Sequence, residues 1–161
     1  MVRIDKTYTF EGPAGRATLR DLFGGRRRLI VYHFPFDPAW DERDCARCSH
    51  LADRLVRGVV RLPTRDASFA AVSRAPIANI ESCKRRLGWT FPWLSSLGTT
   101  FNDDFAVALD GEDAHCERPG LSVFLRLGED VFHWNSTFDR RLDRLVGARE
   151  IPESVAYGRT A

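Results

Sequence analysis

Cys45 and Cys48 stand two residues apart, and no other pair in this sequence points so directly to chemistry. A disulfide needs its two Cα atoms within roughly 7 Å, and a Cys-x-x-Cys in the first turn of a helix meets that limit without distortion. The leading cysteine, Cys45, would then lie among unsatisfied backbone N–H groups at the positive end of the helix dipole. A thiolate is stabilised there, and its pKa falls below the value of about 8.5 for a free thiol. Arg43 and Arg47 add positive charge, while Asp41, Glu42 and Asp44 oppose it. Attack by Cys45 on an external disulfide would give a mixed disulfide, and Cys48, one turn deeper, would resolve it. The bland alternatives are two structural thiols or half of a zinc site.

Several other side chains could support this pair. His33 sits within an apolar run, in the central strand, and is read as a satisfied core histidine, a proton acceptor for Cys45 or a ligand. His133 belongs to a later strand that could face the same end of the sheet. With Cys45 and Cys48, these histidines make a set suited to a soft metal such as copper(I). The metal alternative is therefore Cys45, Cys48 and His133, holding copper or zinc. Arg74 follows a strand at the end of the sheet where α/β folds bind ligands, and could hold an anionic substrate group or bond loop carbonyls. Cys83 falls on an apolar helical stripe and reads as a packed core thiol. Cys116 follows His115 in a polar loop, which reads as plain surface.

The elements that must position these groups follow from pattern. Leu29-Ile30-Val31-Tyr32-His33-Phe34 is nearly continuous, β-branched and aromatic, as expected of a strand buried on both faces. A helix is expected from Cys45 to Arg57, with Asp44 as N-cap and Leu51, Leu55 and Val59 on its inner face. Phe69–Val72 reads as a second buried strand. Pro76 opens a helix whose stripe is Ile77, Ile80, Cys83 and Leu87, ending at Gly88. Phe91–Leu94 is a short segment of strand character, and Gly98 to Asp104 is polar with little pattern. Leu121–Leu125 and Val131–Trp134 form a hairpin across Gly128. Phe138, Leu142, Leu145 and Val146 suggest a last helix. Ahead of all this, Thr7–Phe10 and Ala17–Leu19 flank a turn at Glu11–Gly15, and Arg20–Phe23 is one helical turn stopped by Gly24-Gly25.

The order β-α-β-α, then a hairpin and a helix, predicts an α/β thioredoxin-like fold: a central mixed sheet with helices on both faces and a C-terminal β-hairpin. The 161 residues suit one domain over 1–148, with 1–25 as its first strands and turn and 149–161 as a poorly ordered tail. A net charge of +2 from 24 basic and 22 acidic residues offers no basic face for nucleic acid. The charged opening Met1–Lys6 does not read as a signal peptide, and no apolar run approaches a membrane span. The expectation is a cytoplasmic protein without membrane or nucleic-acid partners, in which a close cysteine pair signals redox chemistry or metal.

Specific runs resemble the DUF899 family, thioredoxin-like proteins described as predicted dithiol-disulfide oxidoreductases. They are Arg3–Lys6 with Tyr8–Gly12, Leu29–Phe34, Ala70–Pro76, Leu87–Trp93, Ser122–Arg126, and Val131–His133 before Ser136-Thr137. The likeness covers most of the chain and is similar, more distantly, to the AhpC/TSA peroxiredoxin branch. It implies that Cys45 and Cys48 are the redox pair and that other members carry a helical N-terminal extension ahead of this point. Thioredoxins place a cis-proline opposite the cysteines; here Pro119 and Gly120 precede Leu121, and the register sets Gly120 at that place. The run Pro38 to Cys45 lacks the Pro-x-x-x-Thr/Ser-x-x-Cys expected of a peroxidase. The function expected is a dithiol-disulfide oxidoreductase with His33, Arg74, Pro119 and Gly120 in support. It would need no cofactor beyond its redox-active disulfide, act on a protein or small-molecule disulfide or thiol, and work as a monomer or homodimer. The alternatives are the metal-binding protein and a non-catalytic scaffold presenting Trp40, Trp93 or Trp134.

Overall fold

A computed structural model describes residues 1–36, 53–54, 66–105 and 119–138. Among them, eight strands form one sheet: β1 (Val2–Arg3), β2 (Thr9–Gly12), β3 (Gly15–Thr18), β4 (Arg28–His33), β5 (Ala67–Ser73), β6 (Trp93–Ser95), β7 (Gly120–Leu127) and β8 (Asp130–Phe138). The spatial order is β1-β8-β7-β4-β5-β6-β2-β3. β4, β5 and β6 run parallel, and every other pairing is antiparallel. The expected mixed sheet is therefore present, with the hairpin β7–β8 laid against β4.

β4 lies mid-sheet because its side chains are apolar on both faces. Ile30, Tyr32 and Phe34 point to one side, where they meet Ala71, Trp93, Leu121 and the helix Ile77–Leu87 through Ile80 and Cys83. Leu29 and Val31 point to the other, against Tyr8, Phe10, Leu19, Phe23, Phe101 and Phe124. Each fully buried side chain of this size contributes roughly 1.5–3 kcal/mol, so a strand with two apolar faces is a strong organiser. On the first face, Ser73 donates to the Phe34 carbonyl at 2.6 Å and accepts from Trp93 Nε1 at 2.9 Å. Trp93 is thus a buried core residue, not an exposed docking aromatic.

Some expectations need correction. Leu87 is exposed, so the inward stripe of its helix ends at Cys83, which is a buried thiol. Glu11 and Gly12 continue β2, so the first hairpin turns two residues later than the pattern suggested. β1, too short to show a period, pairs with β8 through Val2 and His133. The polar run Gly98–Asp104 holds a short helix, Phe101–Phe105, started by the Thr99 hydroxyl accepting from the Phe101 N–H at 3.3 Å. Five residues are too few for periodicity to reveal it. Phe138 ends β8 and does not begin a helix, because Ser136, Thr137 and Phe138 pair with Ser122, Leu121 and Gly120. The expected helices at Cys45–Arg57 and beyond Phe138 lie outside the described residues, as does the tail, except that Asp53 and Arg54 are helical. Among the described residues no helix is long and apolar enough to cross a membrane.

Candidate functional site

The strand that leads toward the cysteine segment ends in a buried histidine. His33 pairs with Gly120, and its neighbour Val31 pairs with Ser122. In antiparallel neighbours, paired residues share a face, so His33 and Ser122 project to the same side. Ser122 pairs in turn with Ser136. A register shift between Val123 and Phe124 then leaves Trp134 as an extra residue of β8. Three residues of spacing would ordinarily put His133 and Ser136 on opposite faces. The bulge reverses that parity and brings both to the face that carries His33.

The result is a continuous hydrogen-bonded row. His33 Nε2 lies 2.7 Å from Ser122 Oγ. Ser122 Oγ lies 2.7 Å from Ser136 Oγ. Ser136 Oγ lies 2.8 Å from His133 Nε2. His33 and Ser122 are buried, whereas Ser136 and His133 are half-buried, so the row runs from the interior toward the surface.

Aromatic rings enclose it. His33 stacks on Phe101 at 5.5 Å between centroids and leans on Phe138 at 5.8 Å. His133 touches the rings of Phe105 and Phe124. Burial pushes the His33 pKa down to about 3, and the nearby His133 adds to the effect. Burial also lowers the pKa of His133, opposed by a backbone hydrogen bond at Asn135 and helped by the N-terminal ammonium. His33 is thus neutral at pH 7. Its Nδ1 is buried and has no hydrogen-bond partner among the described residues.

Gly120 is where a side chain has no room. A Cβ there would stand 2.1 Å from Phe138 Cε1, so the missing side chain is what lets Phe138 cover His33. Pro119, half-buried, comes just before it. Arg74 forms an ion pair with Asp103, so an anion would compete with that carboxylate. Cys45, Cys48, His115, Cys116 and Trp40 lie outside the described residues. Trp89 Nε1 donates to Asp53 Oδ1 at 2.7 Å, a contact to the helix expected after the cysteines. Among the described residues no group of three His, Cys, Asp or Glu is arranged for a metal, and a metal on His133 Nε2 would have to displace Ser136.

Ser122 and Ser136 were not singled out by sequence reasoning. A signal was present in Ser122, a polar residue within an apolar strand, and in the His-x-x-Ser spacing of β8. Neither has meaning until strand register and bulge are known.

The fold is thioredoxin-like. A putative protein disulfide isomerase from Bacteroides thetaiotaomicron aligns with a TM-score of 0.58 at 19% identity, over 98% of this chain and 93% of that one. A secreted Mycobacterium tuberculosis disulfide oxidoreductase homologous to E. coli DsbE aligns at 0.54 and 15%, over 87% and 92%. Peroxiredoxin Q from Xanthomonas campestris aligns at 0.52 and 16%, over 87% and 88%. At these identities the likeness is one of fold. No curated protein matches the sequence. A family model described as "Bacterial protein of unknown function (DUF899)" matches residues 1–161, and the chain therefore belongs to the DUF899 family.

Proposed function

We propose that this protein is a dithiol-disulfide oxidoreductase in which Cys45 attacks and Cys48 resolves. The observation that carries the reading is the placement of β4 in a thioredoxin-like sheet. This central strand ends in a buried, neutral histidine and continues, within twelve residues of sequence, into a Cys-x-x-Cys. Two of the similar structures are described as a disulfide oxidoreductase and a putative disulfide isomerase, which agrees with this chemistry.

The step balances as a thiol–disulfide exchange. The Cys45 thiolate attacks one sulfur of an external disulfide, forming a mixed disulfide and expelling the other sulfur as thiolate. Cys48, deprotonated, attacks Cys45 and expels the second substrate thiolate. Two electrons pass to the substrate, and the Cys45–Cys48 disulfide remains. The substrate class is a protein or small-molecule disulfide, and a reducing compartment such as the cytoplasm would restore the dithiol. No metal or organic cofactor enters the cycle.

Mass spectrometry after thiol alkylation, on protein equilibrated across a glutathione redox series, tests this. The expected result is loss of two hydrogens confined to the peptide holding Cys45 and Cys48. Cys45→Ser should abolish disulfide reduction, and Cys48→Ser should trap mixed disulfides. Absence of that disulfide at every poise, or full activity in Cys45→Ser, would reject the reading.

A further inference from the structure

We propose that His33, Ser122, Ser136 and His133 form a proton relay that accepts a proton at His33 Nδ1 and delivers positive charge to His133. The relay is built only from groups whose positions are described. It rests on the dithiol reading for one thing, that the acid it serves is a cysteine thiol.

The direction of the row follows from hydrogen-bond accounting. A neutral imidazole has one N–H and one bare nitrogen. His33 Nδ1 is buried without a partner among the described residues, while Nε2 faces the Ser122 hydroxyl. A buried N–H without an acceptor is rarer in folded proteins than an under-used acceptor, so the hydrogen belongs on Nε2. His33 Nε2–H then donates to Ser122, Ser122 donates to Ser136, and Ser136 donates to His133 Nε2. His133 carries its hydrogen on Nδ1, consistent with the backbone hydrogen bond at Asn135. Every hydroxyl gives one hydrogen and receives one, and all point the same way.

Such a row can move charge without moving heavy atoms. A proton arriving at His33 Nδ1 releases the Nε2 proton to Ser122. Ser122 passes its own to Ser136, and Ser136 passes its own to His133 Nε2. The acid becomes its conjugate base, His33 ends neutral with its hydrogen on Nδ1, both serines regain a hydroxyl, and His133 becomes an imidazolium. Burial explains why the charge should leave His33, which is almost sealed from water, for His133, which is half-buried.

The charged groups around the row leave it free to work. The Phe101–Phe105 helix presents Phe101 and Phe105 to the histidines, and its carboxylates are engaged elsewhere: Asp103 with Arg74, and Asp104 with Lys6 and Tyr8. On β1, Arg3 pairs with Asp5 and with Asp130 of β8. The Met1 ammonium acts on His133, and His133 on His33. β4 and β7 add the neutral groups Val31, Ser122 and Phe124 beside the row, and Arg126 follows on the same face of β7, two residues beyond Phe124.

The test uses the full chain with nitrogen-15 in its histidines, as wild type, Ser136→Ala and Ser136→Thr. Between pH 6 and 8, NMR should find His33 protonated on Nε2 and His133 on Nδ1; a hydrogen on His33 Nδ1 overturns the relay. On the same samples, the pH profile of Cys45 alkylation by iodoacetamide should move up by about one unit in Ser136→Ala, a roughly tenfold slower reaction at pH 7. Ser136→Thr, which restores the hydroxyl, should return it. An unmoved profile in a folded Ser136→Ala protein overturns the relay even if the Cys45–Cys48 disulfide forms normally. If that disulfide never forms while the tautomers and the Ser136→Ala shift appear as expected, the dithiol reading falls and the relay stands.

Discussion

The Ser122 hydroxyl serves two neighbours at once, at 2.7 Å from His33 and 2.7 Å from Ser136. Ser122→Ala removes both contacts and leaves a fully buried imidazole N–H with nothing to receive it. The expected loss is about 1–3 kcal/mol of stability, read from urea unfolding, because an unmade buried hydrogen bond exposes the whole desolvation cost of the orphaned group. Gly120 acts by absence. In Gly120→Ala the new methyl meets the Phe138 ring at 2.1 Å, and the ring must leave His33 or the strand must shift. A destabilisation of about 1–3 kcal/mol is expected, as for other overpacked sites, together with a changed His33 ring-proton shift in NMR. If Gly120→Ala matched wild type in both readouts, the close approach of Phe138 would be unimportant. Ser122 was not legible as part of a hydrogen-bonded row. The sequence marked Gly120 through its register at the place where thioredoxins carry a cis-proline, and a serine between Leu121 and Val123 carries no sign of what its hydroxyl meets.

At the scale of elements, sequence pattern succeeded where an element is long and buried, and failed where tertiary contacts decide. β4 and the helix ending at Gly88 were legible because a continuous apolar run and a 3.6-residue stripe are intrinsic to the chain. β8 was legible only as far as Trp134. Its extension to Phe138 comes from pairing with β7, and the bulge that aligns His133 with Ser136 has no local signature. Deleting Trp134 should therefore restore regular alternation with His133 two residues before Ser136, so that both keep the same face and the same partners on β7. In NMR of that variant, His133 should keep its Nδ1–H preference, while a changed His133 tautomer would show that the bulge does more than correct the parity. A second element-scale contact joins the far side of the molecule. Gly88, at φ 68°, lets the Trp89 N–H cap Lys84 at 3.0 Å, and the Trp89 indole donates to Asp53 at 2.7 Å. Trp89→Phe and Asp53→Asn should each destabilise the protein. Their double-mutant cycle should show a coupling of about 1.5–3 kcal/mol, the range for a hydrogen bond to a charged group. A coupling near zero would mean that the indole and carboxylate do not depend on each other.

For the whole molecule, element order was enough to expect a mixed sheet in which parallel strands meet an antiparallel hairpin, because crossover and hairpin rules leave few arrangements. It did not reveal how the N-terminal hairpin continues the sheet past β6 or how its Tyr8 and Phe10 help enclose the second core. That enclosed core has a consequence for stability against acid. Folded His33 resists protonation until about pH 3, while in the unfolded chain it takes a proton near its ordinary 6.5. Between those limits the unfolded state binds more protons than the folded one, so stability is full above pH 6.5 and declines as the pH falls. The slope approaches about 1.4 kcal/mol per pH unit from this one group, and His133, also lowered, adds with the same sign. The exposed carboxylate of Asp104, held down to about 2 chiefly by Lys6, Tyr8 and Thr100, adds its loss only below its ordinary value of 3.8. Glu129, held low by Arg20, likewise adds its loss only around and below its ordinary 4.5, so urea midpoints measured from pH 7 to 5.5 read chiefly the histidines. Wild type should weaken steadily over that interval, and His33→Gln should flatten most of the decline while remaining less stable at pH 7. An equal decline in both proteins would place the acid sensitivity elsewhere, and would mean that His33 is reached by water in a way its sealed position between Phe101 and Phe138 does not allow.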